Sequence, residues 1–322
     1  MVKPVIAALA LAGALAPLHA QPPQLRLSNG KATAVLYLPD AENGYYRATR
    51  FDWAGAIASL EAGGHSYFGK WFDRYDPKIN DAITGPVEEF LSGDSSLGYD
   101  EAKTGGVFVR IGVGALRKPE EEKFQRFKTY EIVNAGRRTE RHGADWVELT
   151  HELADTNGYA YLYTKRLALT AGKAELVIEH SLKNTGAKPI DTSVYNHDFY
   201  MLDGQPTGPD IVVKFAFPPQ AATPLGALAE VRGNELHYLS ELQARQAAYT
   251  DFTGFGDTAA HNDFRVENRK TGAGVHQSGD LPVSKLVFWS IRTTVCPEAY
   301  VHLHVEPGKT VTWKIRYEFY SL

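Results

Sequence analysis

The segment from Thr294 to Gly308 alternates in polarity at every residue from Cys296 onward, and this pattern constrains the fold more than any other feature of the chain. A period of two is the side-chain period of a β-strand, so we predict a half-buried strand. Its apolar face consists of Ala299, Val301, Leu303 and Val305. Its open face consists of Glu298, Tyr300, His302 and His304. Acid, phenol and imidazole groups on one face favour proton transfer or sugar binding.

Short alternating segments bounded by turn residues recur along most of the chain, and no βαβ rhythm interrupts them. A hairpin is predicted at Ala171-Gly172-Lys173, and a second one at Glu306–Lys309, where the strand bearing Glu298 would pair with the segment from Val311 to Phe319. The fold class predicted is all-β, a large antiparallel β-sandwich that forms one domain over residues 21–322. The remaining predicted strands are 33–38, 107–113, 146–153, 159–170, 174–184, 193–202 and 285–292.

Two segments depart from the strand pattern. Leucines at helical spacing between Leu228 and Ala247 predict one or two short helices. The segment from Thr250 to Gly274 is rich in Gly, Asp and Asn, which predicts a long loop or a pair of loops of the kind that carries binding residues.

The first twenty residues have the pattern of a secretory signal peptide, with Lys3, then an apolar run and then Ala20 before Gln21. We therefore expect a periplasmic or secreted protein that is not membrane-bound after signal removal. The net charge of -4 becomes -5 when Lys3 is lost, so nucleic acid is not an expected partner. The single cysteine, Cys296, excludes an intramolecular disulfide, and we expect a monomer or homodimer.

A second informative segment runs from Ser193 to Gly204. In strand register Tyr195, His197 and Phe199 share one face, while Asn196, Asp198 and Tyr200 share the other. A histidine between two aromatic residues suits a sugar platform with a titratable centre. A core histidine bonded to the backbone is the alternative.

Together the two segments resemble the aldose 1-epimerase (galactose mutarotase-like) superfamily. The residues that carry the resemblance are Asn196-His197-Asp198-Phe199-Tyr200-Met201-Leu202, Cys296-Pro297-Glu298, Pro307-Gly308 and the segment from Trp313 to Phe319. The resemblance implies a galactose mutarotase-like supersandwich, a carbohydrate substrate and no metal or organic cofactor. It further implies that His197 is the catalytic acid and Glu298 the catalytic base.

The N-terminal half departs from the family pattern, because the early Asn-Arg-Ile element and the Leu-His-Gly-Gly element are missing. The corresponding regions read Tyr45–Trp53 and Ile83–Phe90. Arg47 and Arg50 are candidates to bind sugar hydroxyls, a carboxylate or a phosphate, or else to form ion pairs with nearby acids. The full set of predicted substrate-binding residues is Arg47, Arg50, Glu89, Tyr195, Asp198, Tyr300 and His302.

The sequence is also compatible with other functions. A glycoside hydrolase on the same fold needs a second carboxylate near Glu298, for which Glu88 and Glu89 are the candidates. A polysaccharide lyase and a non-catalytic carbohydrate-binding protein are further alternatives. His302 and His304 with Glu298 have the spacing of a metal site, although cleft-lining residues are the preferred interpretation, and we predict no metal.

Overall fold

The computed structural model describes residues 21–322, so the predicted signal peptide, residues 1–20, lies outside the described residues. Within 21–322 the secondary structure is almost entirely β, with two single-turn 3-10 helices at Leu202–Gly204 and Ala259–His261. No helix in this part of the chain is long and apolar enough to cross a lipid bilayer. The strands are β1 Gln24–Ser28, β2 Ala32–Tyr37, β3 Ile57–Ala62, β4 His65–Phe68, β5 Val87–Leu91, β6 Val107–Arg110, β7 Gly114–Arg117, β8 Ile132–Asn134, β9 Arg137–His142, β10 Trp146–Thr156, β11 Tyr159–Leu169, β12 Glu175–Asn184, β13 Ile190–His197, β14 Ile211–Phe215, β15 Gln220–Ala221, β16 Ala229–Arg232, β17 Glu235–Tyr238, β18 Ala247–Thr253, β19 Asp263–Asn268, β20 Ala273–Gly279, β21 Lys285–Ile291, β22 Thr294–Val305 and β23 Thr310–Ser321.

Two large antiparallel sheets face each other and enclose the core. One sheet has the strand order β16-β17-β14-β19-β20-β23-β12-β11-β10-β9, and the other has the order β15-β18-β21-β22-β13-β5. Their facing side chains form shared clusters, in which Leu182 and Trp313 of the larger sheet pack with Val194, Val301 and Leu303 of the smaller one. The predicted all-β antiparallel sandwich is therefore confirmed.

Strand β22 has the alternation predicted from its sequence. Val301, Leu303 and Val305 are buried between the sheets, whereas His302 and His304 on the other face are exposed. Full burial of such an aliphatic side chain is worth about 1.5–3 kcal/mol. A register shift of one residue would expose all of them, so the pattern also fixes the direction in which Glu298 points.

The predicted hairpin at Glu306–Lys309 is wrong, although the turn itself exists. β22 pairs with β13 and β21 in the smaller sheet, whereas β23 pairs with β12 and β20 in the larger one. The turn therefore crosses from one sheet to the other. Sequence alternation predicts each strand but does not say which strand is its neighbour.

One further prediction is wrong. The segment 228–247 forms the β16–β17 hairpin in place of short helices, because Arg232 pairs with Glu235 around a two-residue turn in which Gly233 has φ +62°. Of the long loop or loop pair predicted for 250–274, the structure has the pair: β18 ends at Thr253, and β19 separates residues 254–262 from residues 269–272. The hairpin predicted at Ala171-Gly172-Lys173 is confirmed by the pairing of β11 with β12.

Candidate active site

A cavity of about 260 Å³ opens on the face of the smaller sheet that points away from the core. Adjacent strands β18, β21, β22 and β13 form its floor, because alternate residues of each strand project to this face. Irregular segments from the N-terminal half form its wall. The floor residues are Tyr249, Lys285, Val287, Trp289, Glu298, Tyr300, His197 and, directly after β13, Phe199. The wall residues are Arg50, Trp71, Asp81, Arg126 and Phe127.

Strand register places His197 directly opposite Glu298. β13 and β22 pair from Ile190 to Val194, and the same register resumes where Tyr200 bridges Val295. His197 Nε2 lies 3.2 Å from Glu298 Oε1, and both side chains are about 95% buried. The two predicted catalytic residues thus lie side by side at the bottom of the cavity.

Aromatic residues fix the imidazole of His197. Phe199 stacks on it in parallel, with ring centroids 3.8 Å apart, and Trp289 meets it edge-on at 5.4 Å. Phe199 has φ +49°, a left-handed conformation that is rare and strained for an aromatic residue. Its backbone N–H donates to Cys296 Sγ at 3.2 Å. Strain of this kind is characteristic of functional sites, and here it places the Phe199 ring flat against the imidazole of His197.

Burial shifts both members of the pair toward their neutral forms. Desolvation raises the pKa of Glu298 from 4.5 to about 8, although Arg50 and Arg126 act against the shift. Desolvation, helped by the positive charge of Arg50, holds the pKa of His197 well below 6.5. Burial therefore favours the form of the pair in which Glu298 carries the proton and His197 is neutral.

Behind the wall, Glu89 binds three arginines. It accepts hydrogen bonds from Arg50 Nε at 2.9 Å, from Arg126 Nε and Nη2 at 2.9 and 2.7 Å, and from Arg110 Nη2 at 2.5 Å. The Tyr195 hydroxyl donates to it at 2.6 Å. Burial alone would raise the pKa of Glu89, but the three guanidinium groups outweigh burial and hold this pKa far below its usual value. Glu89 is fully buried and positions Arg50 and Arg126 instead of facing the cavity.

The two glutamates of β5 point in opposite directions because they are neighbours on a strand. Glu88 points into the interior, where it contacts Lys165 Nζ, His180 Nε2 at 2.8 Å and Asn196 Nδ2 at 3.0 Å. Each of the two carboxylates is therefore already paired with cations. Neither provides the free second acid that a glycoside hydrolase would need beside Glu298.

A close approach of two backbone segments holds the wall against the catalytic strand. A Cβ atom on Gly85 would lie 2.1 Å from the Asp198 carbonyl oxygen and 2.6 Å from that of His197. Only glycine permits this contact. Trp71 Nε1 donates to the Ile83 carbonyl oxygen at 2.9 Å, and its ring stacks on Phe199 at 4.6 Å. The segments around Trp71 and Gly85 are thus held next to the catalytic strand.

Besides Glu89, three residues predicted to bind substrate lie outside the cavity. Asp198 is on the core side of its strand, fully buried, and accepts a hydrogen bond from the Tyr317 hydroxyl at 2.9 Å. Arg47 donates to the Glu42 carbonyl oxygen at 2.6 Å, outside the cavity. His302 shares the face of Glu298, but it lies beyond the end of the cavity, exposed, with Nε2 3.8 Å from Asp191.

His304 also lies beside Asp191, with its Nδ1 atom 2.9 Å from Asp191 Oδ2. The metal-site alternative therefore has no geometric support. Within residues 21–322 no group of three or more His, Cys, Asp or Glu side chains has the geometry to hold a metal ion.

Of the remaining predicted residues, Arg50 and Tyr300 line the cavity, and Tyr195 supports it by stacking on Tyr300 at 4.2 Å. Sequence reasoning missed Arg126 and Phe127, which lie in a charged segment that resembles a solvated loop. It also missed Lys285, Val287 and Trp289. These three alternate along a strand that the sequence does predict, so the same period of two would have placed them on one face.

Comparison with solved structures agrees with this architecture. A galactose mutarotase-like protein from Clostridium acetobutylicum has a TM-score of 0.57 at 13% identity, with 92% of this chain and 95% of that chain covered. An aldose epimerase homologue from C. elegans has a TM-score of 0.56 at 13% identity, with 93% and 99% covered. A galactose mutarotase related enzyme from Lactobacillus acidophilus has a TM-score of 0.54 at 14% identity, with 92% and 97% covered.

No protein-family model matches the chain, and no curated protein matches it in sequence. At identities of this size the structural likeness shows the fold, which is galactose mutarotase-like in a divergent sequence.

Proposed function

We propose that this chain, whose fold is galactose mutarotase-like, is an aldose 1-epimerase-like enzyme that interconverts the anomers of a sugar by acid–base ring opening. The observation that carries the proposal is the contact of 3.2 Å between His197 Nε2 and Glu298 Oε1 at the base of an aromatic-lined cavity. An acid and a base in adjacent positions are what this reaction requires.

The reaction proceeds with one proton on the pair. Glu298, protonated at rest, donates its proton to the ring oxygen while neutral His197 accepts the proton of the C1 hydroxyl group. The bond between C1 and the ring oxygen breaks and the C1 carbonyl forms. After rotation about the C1–C2 bond the ring closes on the other face of the carbonyl, and both protons return. Atoms and charges balance without any other reactant.

This assignment reverses the roles predicted from the sequence, in which His197 is the acid and Glu298 the base. The reason is burial, which favours the neutral form of each group. Because ring closure is the reverse of ring opening, each residue acts once as acid and once as base in every turnover.

The floor of the cavity supports a carbohydrate substrate. Trp289 and Tyr300 line the floor, and the flat surfaces of aromatic rings pack against the apolar faces of pyranose rings. The buried position of the pair excludes water from the reacting atoms, which strengthens the electrostatic interactions there. The pattern of residues 1–20 supports export of the enzyme to the periplasm or beyond, and N-terminal sequencing of the mature protein tests that part.

The test is to follow anomer exchange by NMR over a panel of aldoses, with and without the protein. We expect exchange faster than the spontaneous rate for at least one sugar, and His197→Asn is expected to abolish the acceleration. Analysis of polysaccharide digests in parallel identifies bond cleavage, which would release new ends and favour a lyase or hydrolase. Binding without exchange or cleavage would favour a binding protein and contradict the proposal.

A further inference from the structure

We propose that the sugar handled at this site carries an anionic group, a carboxylate or a phosphate, that is bound by Arg126 and Lys285. The inference rests on the proposed function for the site's location, but it concerns the class of substrate. Cations line the cavity, and the partners that each of them already has show which are available to bind an anion.

Arg126 has donor capacity left over. Its Nε and Nη2 atoms bind Glu89, and Nη2 also donates to the hydroxyl groups of Tyr195 and Tyr300 at 2.8 and 3.2 Å. Its Nη1 atom donates no hydrogen bond within residues 21–322, and the side chain is 31% exposed at the cavity. The guanidinium group is thus held rigidly by one edge while the other edge remains available to a ligand.

Arg50 differs, because each of its three nitrogens is already used. They bind Glu89, Asp81 and the Tyr195 hydroxyl group, and the guanidinium group lies between the rings of Phe51 and Phe127. Arg50 therefore contributes positive charge to the cavity and little further hydrogen bonding.

Lys285 supplies the second available cation. It stands opposite Tyr300 in the pairing of β21 with β22, and its Nζ atom lies 5.7 Å from the centre of that ring. Its nearest carboxylate oxygen is Asp251 Oδ2 at 3.5 Å, and the side chain is 53% exposed. A loose surface pair of this kind is worth little, so Lys285 can turn toward a bound anion at small cost.

The charge balance of the site favours an anion. Four cations, Arg50, Arg110, Arg126 and Lys285, are paired with three carboxylates, Glu89, Asp81 and Asp251, so the cations outnumber the carboxylates paired with them by one. An uncompensated cation in a partly desolvated site is costly, and an anionic ligand removes that cost. A neutral hexose would leave the excess charge unpaired.

The spacing along β22 suits one substrate molecule. Glu298 and Tyr300 project from the same face two residues apart, which corresponds to about 7 Å. Arg126 and Lys285 both lie at the Tyr300 end. A pyranose with C1 and its ring oxygen at Glu298 has room to place an anionic substituent, such as a C6 carboxylate or phosphate, next to the two cations.

The experiment measures the binding of glucose, glucuronate and glucose 6-phosphate to the full-length mature protein by calorimetry, and anomer exchange of the same three sugars by NMR. We expect one or both anionic sugars to bind at least tenfold more tightly than glucose. Lys285→Met is expected to lower that preference at least tenfold, and Lys285→Arg to recover most of it. Comparing glucuronate with glucose 6-phosphate decides between carboxylate and phosphate.

Lys309→Met is the matched control, because Lys309 is an exposed lysine at the far end of β22 and its loss should leave all three affinities unchanged. Arg126→Gln is the second variant and should also remove the preference, with its melting temperature recorded. Equal affinity for glucose and both anionic sugars would overturn the inference, as would a preference that survives both Lys285→Met and Arg126→Gln. Exchange of glucose without anion preference leaves the proposed function intact, whereas anion binding without exchange contradicts the function and supports the inference.

Discussion

The floor and the wall of the cavity are built by opposite means. The floor is regular sheet, and its acid–base pair, His197 and Glu298, is shifted by burial toward neutrality. The wall is irregular chain, and its arginines Arg50 and Arg126 stay charged because Glu89 of β5, buried behind them, neutralises them. The comparison teaches that the floor can exchange protons, whereas the wall supplies a fixed electrostatic field. The following four experiments test this division of roles.

The largest effect is expected from Glu298→Gln, which keeps the shape of the floor and removes its exchangeable proton. Loss of a general acid–base group lowers a rate by about 10²- to 10⁴-fold, and we expect a decrease of that size in anomer exchange measured by NMR. Glu179→Gln, on the exposed face of the larger sheet, is the control and should exchange at the wild-type rate. Equal rates of anomer exchange for Glu298→Gln and wild type would contradict a role for Glu298 in proton transfer.

Glu89→Gln tests the wall and should act mainly on stability. The substitution leaves three buried or half-buried guanidinium groups without their shared carboxylate. Removing one partner of a buried ion pair costs about 3–5 kcal/mol, which denaturant titration can measure as a lower free energy of unfolding.

Glu131→Gln is the matched control for Glu89→Gln, because Glu131 also pairs with an arginine, Arg117, but at an exposed position. Its loss should cost at most about 1 kcal/mol. Equal decreases in the free energy of unfolding for the two variants would show that burial does not make the Glu89 ion pairs more stabilising than an exposed pair.

The pH dependence of stability tests the floor in a different way. Between pH 4.5 and about 8 the folded protein keeps a proton on Glu298 that the unfolded chain has lost. Stability from this group is therefore complete below pH 4.5 and decreases as pH rises, by at most about 1.4 kcal/mol per pH unit. The difference in unfolding free energy between wild type and Glu298→Gln should fall across this window. His197, Arg50, Arg126, Glu89 and Lys285 face residue 298 in both proteins, so the difference between the two proteins isolates the contribution of Glu298. A difference that does not vary with pH would contradict the raised pKa.

The smallest effect is expected from His302→Ala, which marks where the floor ends. His302 shares the face of Glu298 but is half exposed and lies outside the cavity. Its loss should change stability by no more than about 0.5 kcal/mol and should leave anomer exchange unaltered. A large loss of activity would extend the site along β22 and restore the role predicted from the sequence.

The sequence predicts the floor far better than the wall, and the reason is physical. Glu298 and His197 lie on strands with strict alternation, so the face of each residue follows from its position in the sequence. That the two strands are neighbours rests on resemblance alone, since β13 and β22 are about a hundred residues apart. The sequence also does not report the depth of burial that raises the pKa of Glu298, so it does not decide between an acid and a base at this position.

The residues of the wall could not be predicted in the same way, because irregular segments have no side-chain period from which the direction of a residue follows. Arg126 stands among charged residues that look solvated, and only tertiary contact with Glu89 shows its role. Arg47 and Arg50 are close in sequence and equal in charge, yet Arg50 alone reaches the cavity. The reason that Asp198 does not line the cavity is simpler. It alternates with His197 along the chain, so its side chain points to the core.

The crossing of the chain from β22 to β23 has a consequence for biosynthesis. Both strands occupy interior positions in their sheets, β22 between β21 and β13 and β23 between β20 and β12. A nascent chain that has been synthesised only as far as residue 293 lacks an interior strand in each sheet. The strands on either side of each gap therefore cannot pair, and neither sheet can form completely. Because these pairings are distant in sequence, they form slowly, and domains fold as units. Productive folding of the sandwich must therefore wait until residues 294–321, which form both strands, have left the ribosome.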